Sequence, residues 1–285
     1  MAARTGLLVG LAAMAFGLTG VAAGAEETDS PLSTTSTPIG LMGTIPLYWG
    51  EVGGIEDVLA GAATPHWGRA IIAEAGAPLP LDFLSTEALA GVDRLLLAQP
   101  RALSAEENVA LDAWVRGGGR LLLFADPLMT GESRFGLGDR RRPQGVALLS
   151  PILAHWGLDL QFDTDQSEGL AMRDFAGTAL PVALAGQFAH LPGGDEDCAI
   201  VAAGLVAQCA LGEGLALIVA DAALLDLDGP YAGAEAGLRA LLQESFGQGD
   251  SFGDFAHQAD SAPEVAPANT RNCCEIRGEA DRKNE

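Results

Sequence analysis

Positive charge is what this chain has least of. Sixteen Lys and Arg stand against 38 Asp and Glu in 285 residues, a formal net charge of −22 at pH 7. A surface that acidic repels phosphate backbones and anionic lipid headgroups, which argues against nucleic-acid binding. Histidine is also scarce: His66, His155, His190 and His257 are scattered, with no H-x-x-x-H or H-E-x-x-H spacing, so no zinc site is supported. No G-x-S-x-G elbow is present. None of the four cysteines follows an apolar strand at a sharp turn, where a nucleophile with a histidine partner would have to sit. Catalytic residues, a metal and a cofactor are therefore not expected.

What is present begins with an export signal. Arg4 precedes the apolar stretch Leu7 to Ala23, and Ala23-Gly24-Ala25 fits a small-x-small cleavage site before Glu26. Two readings stand, a signal peptide removed after residue 25 or a retained N-terminal anchor, since the stretch approaches the roughly 18–20 residues of a spanning helix. Both place the body in the periplasm or another extracytoplasmic space, with the membrane reached only through an uncleaved N-terminal segment. Residues 26–38 read as a Ser/Thr/Pro-rich spacer, 39–246 as one α/β domain, and 247–285 as a disordered acidic tail holding Cys273 and Cys274.

The domain is organised around Gly117 to Pro127, GGGRLLLFADP, which reads as a strand buried on both faces and left through an acidic corner. Gly212 to Ala222, GEGLALIVADA, repeats the pattern, so Asp126 and Asp221 each lie just past a strand's carboxyl end. Upstream, Arg94 to Pro100 (RLLLAQP) is a second apolar strand. Ser104 with Glu107 forms a capping box for a helix ending at Gly117–Gly119, with Val109, Leu111, Trp114 and Val115 inward. That is a strand–helix–strand unit with parallel strands.

Around this unit, Ile39 to Trp49 predicts a first strand and Pro65 to Ala75 a helix. Pro78 to Leu84 predicts an edge strand, Val146 to Trp156 a helix, Leu158 to Phe162 a strand and Ala232 to Phe246 a last helix. Short β-like runs between Leu170 and Leu211 predict an antiparallel region. There Cys198 and Cys209 oppose each other across a hairpin turning at Ala203-Gly204, close enough for a disulfide.

Three stretches, RLLLAQP, SAEENVALDAWVRGGGRLLLFADP and GLVAQCALGEGLALIVADAALLD, resemble the extracytoplasmic domain of the GldG-like "ABC-type uncharacterized transport system" family. The resemblance covers roughly Ile39 to Phe246. It implies a flavodoxin-like three-layer sandwich of the class I glutamine amidotransferase-like kind, with a largely parallel sheet and a late antiparallel hairpin region. It also implies a non-catalytic accessory role beside an ABC permease, ATPase or other envelope protein.

Open α/β sheets bind ligands at the carboxyl ends of their strands. On that edge the candidates are Tyr48 and Trp49 after the first strand, Gln99, Asp126 and Asp221 at strand ends, and Asp139 with Arg140, Arg141 and Arg142 in the loop after the central strand. The arginines could clamp an anion or carboxylate bidentately, or simply pair with neighbouring acids. The aspartates could cap the following turns. They could instead serve a periplasmic hydrolase as paired carboxylates. A purely structural envelope protein is the remaining alternative.

Overall fold

A computed structural model describes residues 37–61, 64–192 and 198–247. The signal or anchor at residues 1–25, most of the spacer, His257, Cys273, Cys274 and residues 248–285 lie outside the described residues. Eleven strands and six helices are present among the described residues. The chain runs β1 (Pro38–Gly43), α1 (Ile55–Leu59), α2 (Gly68–Ala75), β2 (Ala77–Pro80), α3 (Thr86–Leu89), β3 (Arg94–Ala98), α4 (Ala105–Arg116) and β4 (Arg120–Phe124). It continues through α5 (Ser150–His155), β5 (Leu158–Gln161), β6 (Leu170–Phe175), β7 (Thr178–Ala183), β8 (Gln187–His190), β9 (Cys198–Val201), β10 (Val206–Leu211), β11 (Gly214–Val219) and α6 (Ala234–Phe246).

One seven-stranded sheet runs β2-β1-β3-β4-β11-β10-β9. The first five strands are parallel, while β10 and β9 join antiparallel. Strands with helices on both faces must be apolar at every position. In β4, Leu121 and Leu123 enter one core layer while Leu122 and Phe124 enter the other. Each such leucine contributes about 1.5–3 kcal/mol relative to an exposed one. α2 and α6 cover the Leu122 face with Ile71, Ile72, Leu238 and Leu241. α3, α4 and α5 cover the other with Leu89, Leu111, Val115, Ile152 and Leu153.

The capping box forms as expected. Ser104 Oγ accepts from the Glu107 N–H at 3.2 Å, and the Glu107 carboxylate accepts from the Ser104 N–H at 2.9 Å. Val109 departs from expectation: it is 70% exposed, because the helix turns its inward stripe onto Leu111 and Val115. The first strand ends at Gly43 rather than Trp49. A Cβ at Gly43 would lie 2.0 Å from the Ala98 carbonyl oxygen, so only glycine lets the two backbones come this close where the strand ends. The helix after the long loop covers only Ser150–His155, since residues 146–149 are not helical. The following strand β5 leaves the main sheet and pairs antiparallel with β8, which had no distinct signal in the sequence.

Cys198 and Cys209 form a disulfide with a Cα–Cα distance of 3.9 Å. The expected two-residue turn is instead a 3₁₀ turn over Ala202–Gly204. The loop gains one residue on each side, which leaves Cys198 opposite Cys209 in the register. No helix among the described residues is long and apolar enough to cross a membrane.

Candidate functional site at the carboxyl edge

The parallel strands bring Gln99, Asp126 and Asp221 to one edge, all three buried at 1% exposure or less. Gln99 leaves β3 at φ 47°, in the left-handed region that a side chain other than glycine rarely adopts. A sharp, strained strand end is also where folds of this layering can place a nucleophile. Here the corner holds an amide, and the amide is fully engaged. Its Oε1 accepts from the Asp126 N–H at 2.8 Å; its Nε2 donates to the carbonyls of Asp126 at 2.9 Å and Gln144 at 3.0 Å.

Thr44 completes the bracket. Its hydroxyl donates to the Gln99 carbonyl at 2.5 Å and accepts from the Gln144 N–H at 2.8 Å. The Thr44 N–H bonds the carbonyls of Ala98 and Gln99. The crevice between β1 and β3 is where the winding of the sheet reverses, the usual ligand position of an open α/β sheet. In this chain Thr44, Gln99 and Gln144 hydrogen-bond to one another there, and a cavity of about 180 Å³ opens beside the ends of both strands against Met42, Gly43 and Ala98.

The aspartates take the capping role. Asp126 Oδ1 accepts from the Leu128 N–H at 2.7 Å and Oδ2 from the Ala222 N–H at 3.0 Å. Asp221 Oδ1 accepts from the Ala223 N–H at 2.8 Å and Oδ2 from the Ala183 N–H at 2.9 Å. Each carboxylate thus ties its own loop to another segment. Burial pushes Asp126 up to about 6 and Asp221 well above the usual carboxylate range, with the neighbouring aspartates adding repulsion. Paired-carboxylate catalysis needs carboxyls open to substrate. These two face backbone N–H groups inside the protein.

Two further buried polar residues belong to this edge and carried no recognisable sequence signal. His66 accepts from the Gly68 N–H through Nδ1 at 3.0 Å, which leaves Nε2 to donate to the Leu225 carbonyl at 3.0 Å. Burial lowers it to about 4, so the ring is neutral. Asp226 accepts from the Tyr231 hydroxyl at 3.0 Å, while its buried Oδ1 has no partner among the described residues. Among the described residues no group of three or more His, Cys, Asp or Glu is placed to hold a metal.

Around this bracket lie the aromatics and the arginine loop. Tyr48 and Trp49 meet edge to face at 4.7 Å, with the Arg69 guanidinium 4.0 Å over the Tyr48 ring. They line a small cavity of about 180 Å³ with Met42, Ile45, Leu81 and Asp82. The three arginines separate in role. Arg141 grips Asp139 bidentately at 3.0 and 2.7 Å, donates to the Gly53 carbonyl and covers the Phe135 ring at 4.1 Å. Arg142 donates to the Phe135 carbonyl at 2.7 Å. Arg140 is exposed and makes no ion pair or side-chain hydrogen bond among the described residues. The clamp reading therefore fits Arg140 only, and the other two brace the loop. Two wider clefts are also present, one at the amino edge of the sheet and one on the carboxyl edge beside the start of α4. One of about 580 Å³ sits between α2 and α6 around Arg94, Arg239 and Phe246, and one of about 530 Å³ beside Phe83 and Arg101.

No family model matches the chain, and no curated protein does. Several solved structures are faintly similar. The exo-β-1,4-mannosidase Op5Man5 from Opitutaceae bacterium strain TAV5 is 12% identical at a TM-score of 0.42, over 74% of this chain and 36% of the mannosidase. The mmIFT52 N-terminal domain is 15% identical at 0.44, over 75% of this chain and 99% of that domain. The β-galactosidase from Rahnella sp. R3 is 14% identical at 0.41, over 73% of this chain and 31% of the enzyme. The chain thus spans about a third of the length of either glycosidase. Likenesses this faint assign neither a fold family nor an activity.

Proposed function

We propose that this chain is an exported, non-catalytic binding domain that serves an envelope ABC-type transport system, with a flavodoxin-like core. The strand order β2-β1-β3-β4-β11 supports the core, since it follows the 2-1-3-4-5 winding of that fold. The Cys198–Cys209 disulfide supports an oxidising, extracytoplasmic compartment. The observation that carries the non-catalytic reading is the strained corner at Gln99. A glutamine amide with all its partners inside the protein occupies the corner where a nucleophile would sit. The exposed side chains around this bracket are the working face, and an exposed rim suits a macromolecular partner better than a small molecule.

The test is affinity capture of the full chain from detergent-solubilised envelope membranes of the cells that make it. An ABC-type permease or ATPase recovered in near-stoichiometric amount is the expected result. Its absence, together with hydrolysis of an amide or glycoside by the purified chain, would overturn the reading.

A further inference from the structure

The cleft of about 580 Å³ lies at the amino edge of the sheet, at the other end of the strands from Gln99. Ile71 of α2 and Leu242 and Phe246 of α6 give it an apolar lining. Arg94, the first residue of β3, also lines it and donates to the Ala75 carbonyl at 3.1 Å. The strand register sets Arg120 of β4 beside Arg94, and Arg120 donates to the Ser245 carbonyl at 3.4 Å. Neighbours in register point to the same face of a sheet, so both guanidinium groups reach the α2 and α6 side. Arg239 of α6 stands across from them and pairs with Glu74 of α2. Arg94 and Arg239 line the cleft against one acid, Glu74, in a chain where acids outnumber bases 38 to 16. Glu244, near the end of α6, accepts from Gln208 of β10 instead.

The chain leaves the described fold from the wall of this cleft. Gly247, the last described residue, is one of its lining residues. It leaves α6 in an extended conformation, so close to the preceding turn that a Cβ would meet the Gln243 carbonyl oxygen at 2.4 Å. The sequence that follows has the chemistry of the cleft in complement. Residues 248–270 contain Asp250, Asp254, Asp260 and Glu264, no Lys or Arg, and Phe252 and Phe255. Five extended residues span at most about 17 Å. Packed helices stand about 8–10 Å apart, so Phe252 has the reach to cross from α6 to α2. A segment tethered at the rim of its own site has an effective concentration on the order of millimolar, so a weak contact suffices to hold it there.

We propose that residues 250–255, DSFGDF, dock into the amino-edge cleft of their own chain. Phe252 lies against Ile71 and Leu242, while Asp250 and Asp254 face Arg94 and Arg239. A small free anion would meet the arginines but leave the apolar lining bare; this segment answers both. The docking uses the opposite edge of the sheet from the partner proposed above and does not rest on that reading.

The full chain carrying Phe252→p-benzoylphenylalanine is produced in its own cells, purified and irradiated, with Val265→p-benzoylphenylalanine as control. Expected is a product of single-chain mass in which position 252 is joined to α2 or to Arg94. A link to α6 alone follows from closeness in sequence and does not count as docking. The link from position 265 should be at least about tenfold weaker. Asp250→Lys with Asp254→Lys, changes outside the described fold, should lower the yield at 252 about tenfold, the equivalent of about 1.4 kcal/mol. The proposal is overturned by no link, by a link only to α6, to another part of the chain or to a second chain, by equal yields at 252 and 265, or by a yield indifferent to the two lysines.

Discussion

Replacing Gln99 by alanine removes three hydrogen bonds at once and leaves the Asp126 N–H unpaired in the interior. An unsatisfied buried donor is the costly part, so Gln99→Ala is expected to lose about 2–3 kcal/mol in urea unfolding. A loss below about 0.5 kcal/mol would mean the bracket does not hold the edge together. Asp126 gives a prediction with a definite sign. Its carboxyl is pushed by burial from 3.8 to about 6. A raised folded-state pKa means the group's stabilising share is whole below the unfolded value and is lost as pH rises through about 6. The stability difference between the wild type and Asp126→Asn should therefore shrink by about 2–3 kcal/mol from about pH 4 to pH 7. A difference that is flat with pH would show an ordinary carboxylate. Both residues were legible as residues at strand ends. The capping of the next turn by the aspartates was legible too, Asp126 on the Leu128 N–H and Asp221 on the Ala223 N–H; the ties to Thr44, Gln144, Ala183 and Ala222 were not, because those partners come from segments up to about a hundred residues away.

Elements were readable where a local rule sufficed. The run from Arg94 to Phe124 combines two apolar strands, a capping box and a glycine stop, and each part formed within a residue or two of its expected place. Two elements misled because partners decide them. Val109 fits an inward stripe by spacing, yet faces water. Leu158 to Phe162 has strand composition, but nothing in that composition says it pairs with β8 instead of the main sheet. The hairpin of β9 and β10 was legible down to its disulfide, because register follows arithmetic once a turn is centred. The bridge closes a short loop, with its cysteines 11 residues apart in sequence. Reduction, or a Cys198→Ser/Cys209→Ser double variant, should cost about 2–3 kcal/mol in denaturant unfolding. An unchanged midpoint would show that β9 is held by its ladder alone.

At the scale of the molecule, the net charge of −22 sets a background of self-repulsion that compaction makes worse. Raising salt from about 10 mM to about 150 mM shortens the range of that repulsion, so the melting temperature should rise by several degrees at neutral pH. A fall would place more weight on ion pairs such as Arg101–Glu107 than on the net charge. The sequence by itself determined the α/β layering, the parallel core strands, the cysteine pairing and the acidity, because each follows from local periodicity, spacing or composition. Only the tertiary structure decided that Gln99 is bracketed by Thr44 and Gln144, that the aspartates at that edge face inward, and that one arginine of three is left without a side-chain bond. Those outcomes depend on which distant backbone groups reach a side chain first, and no spacing along the chain records that.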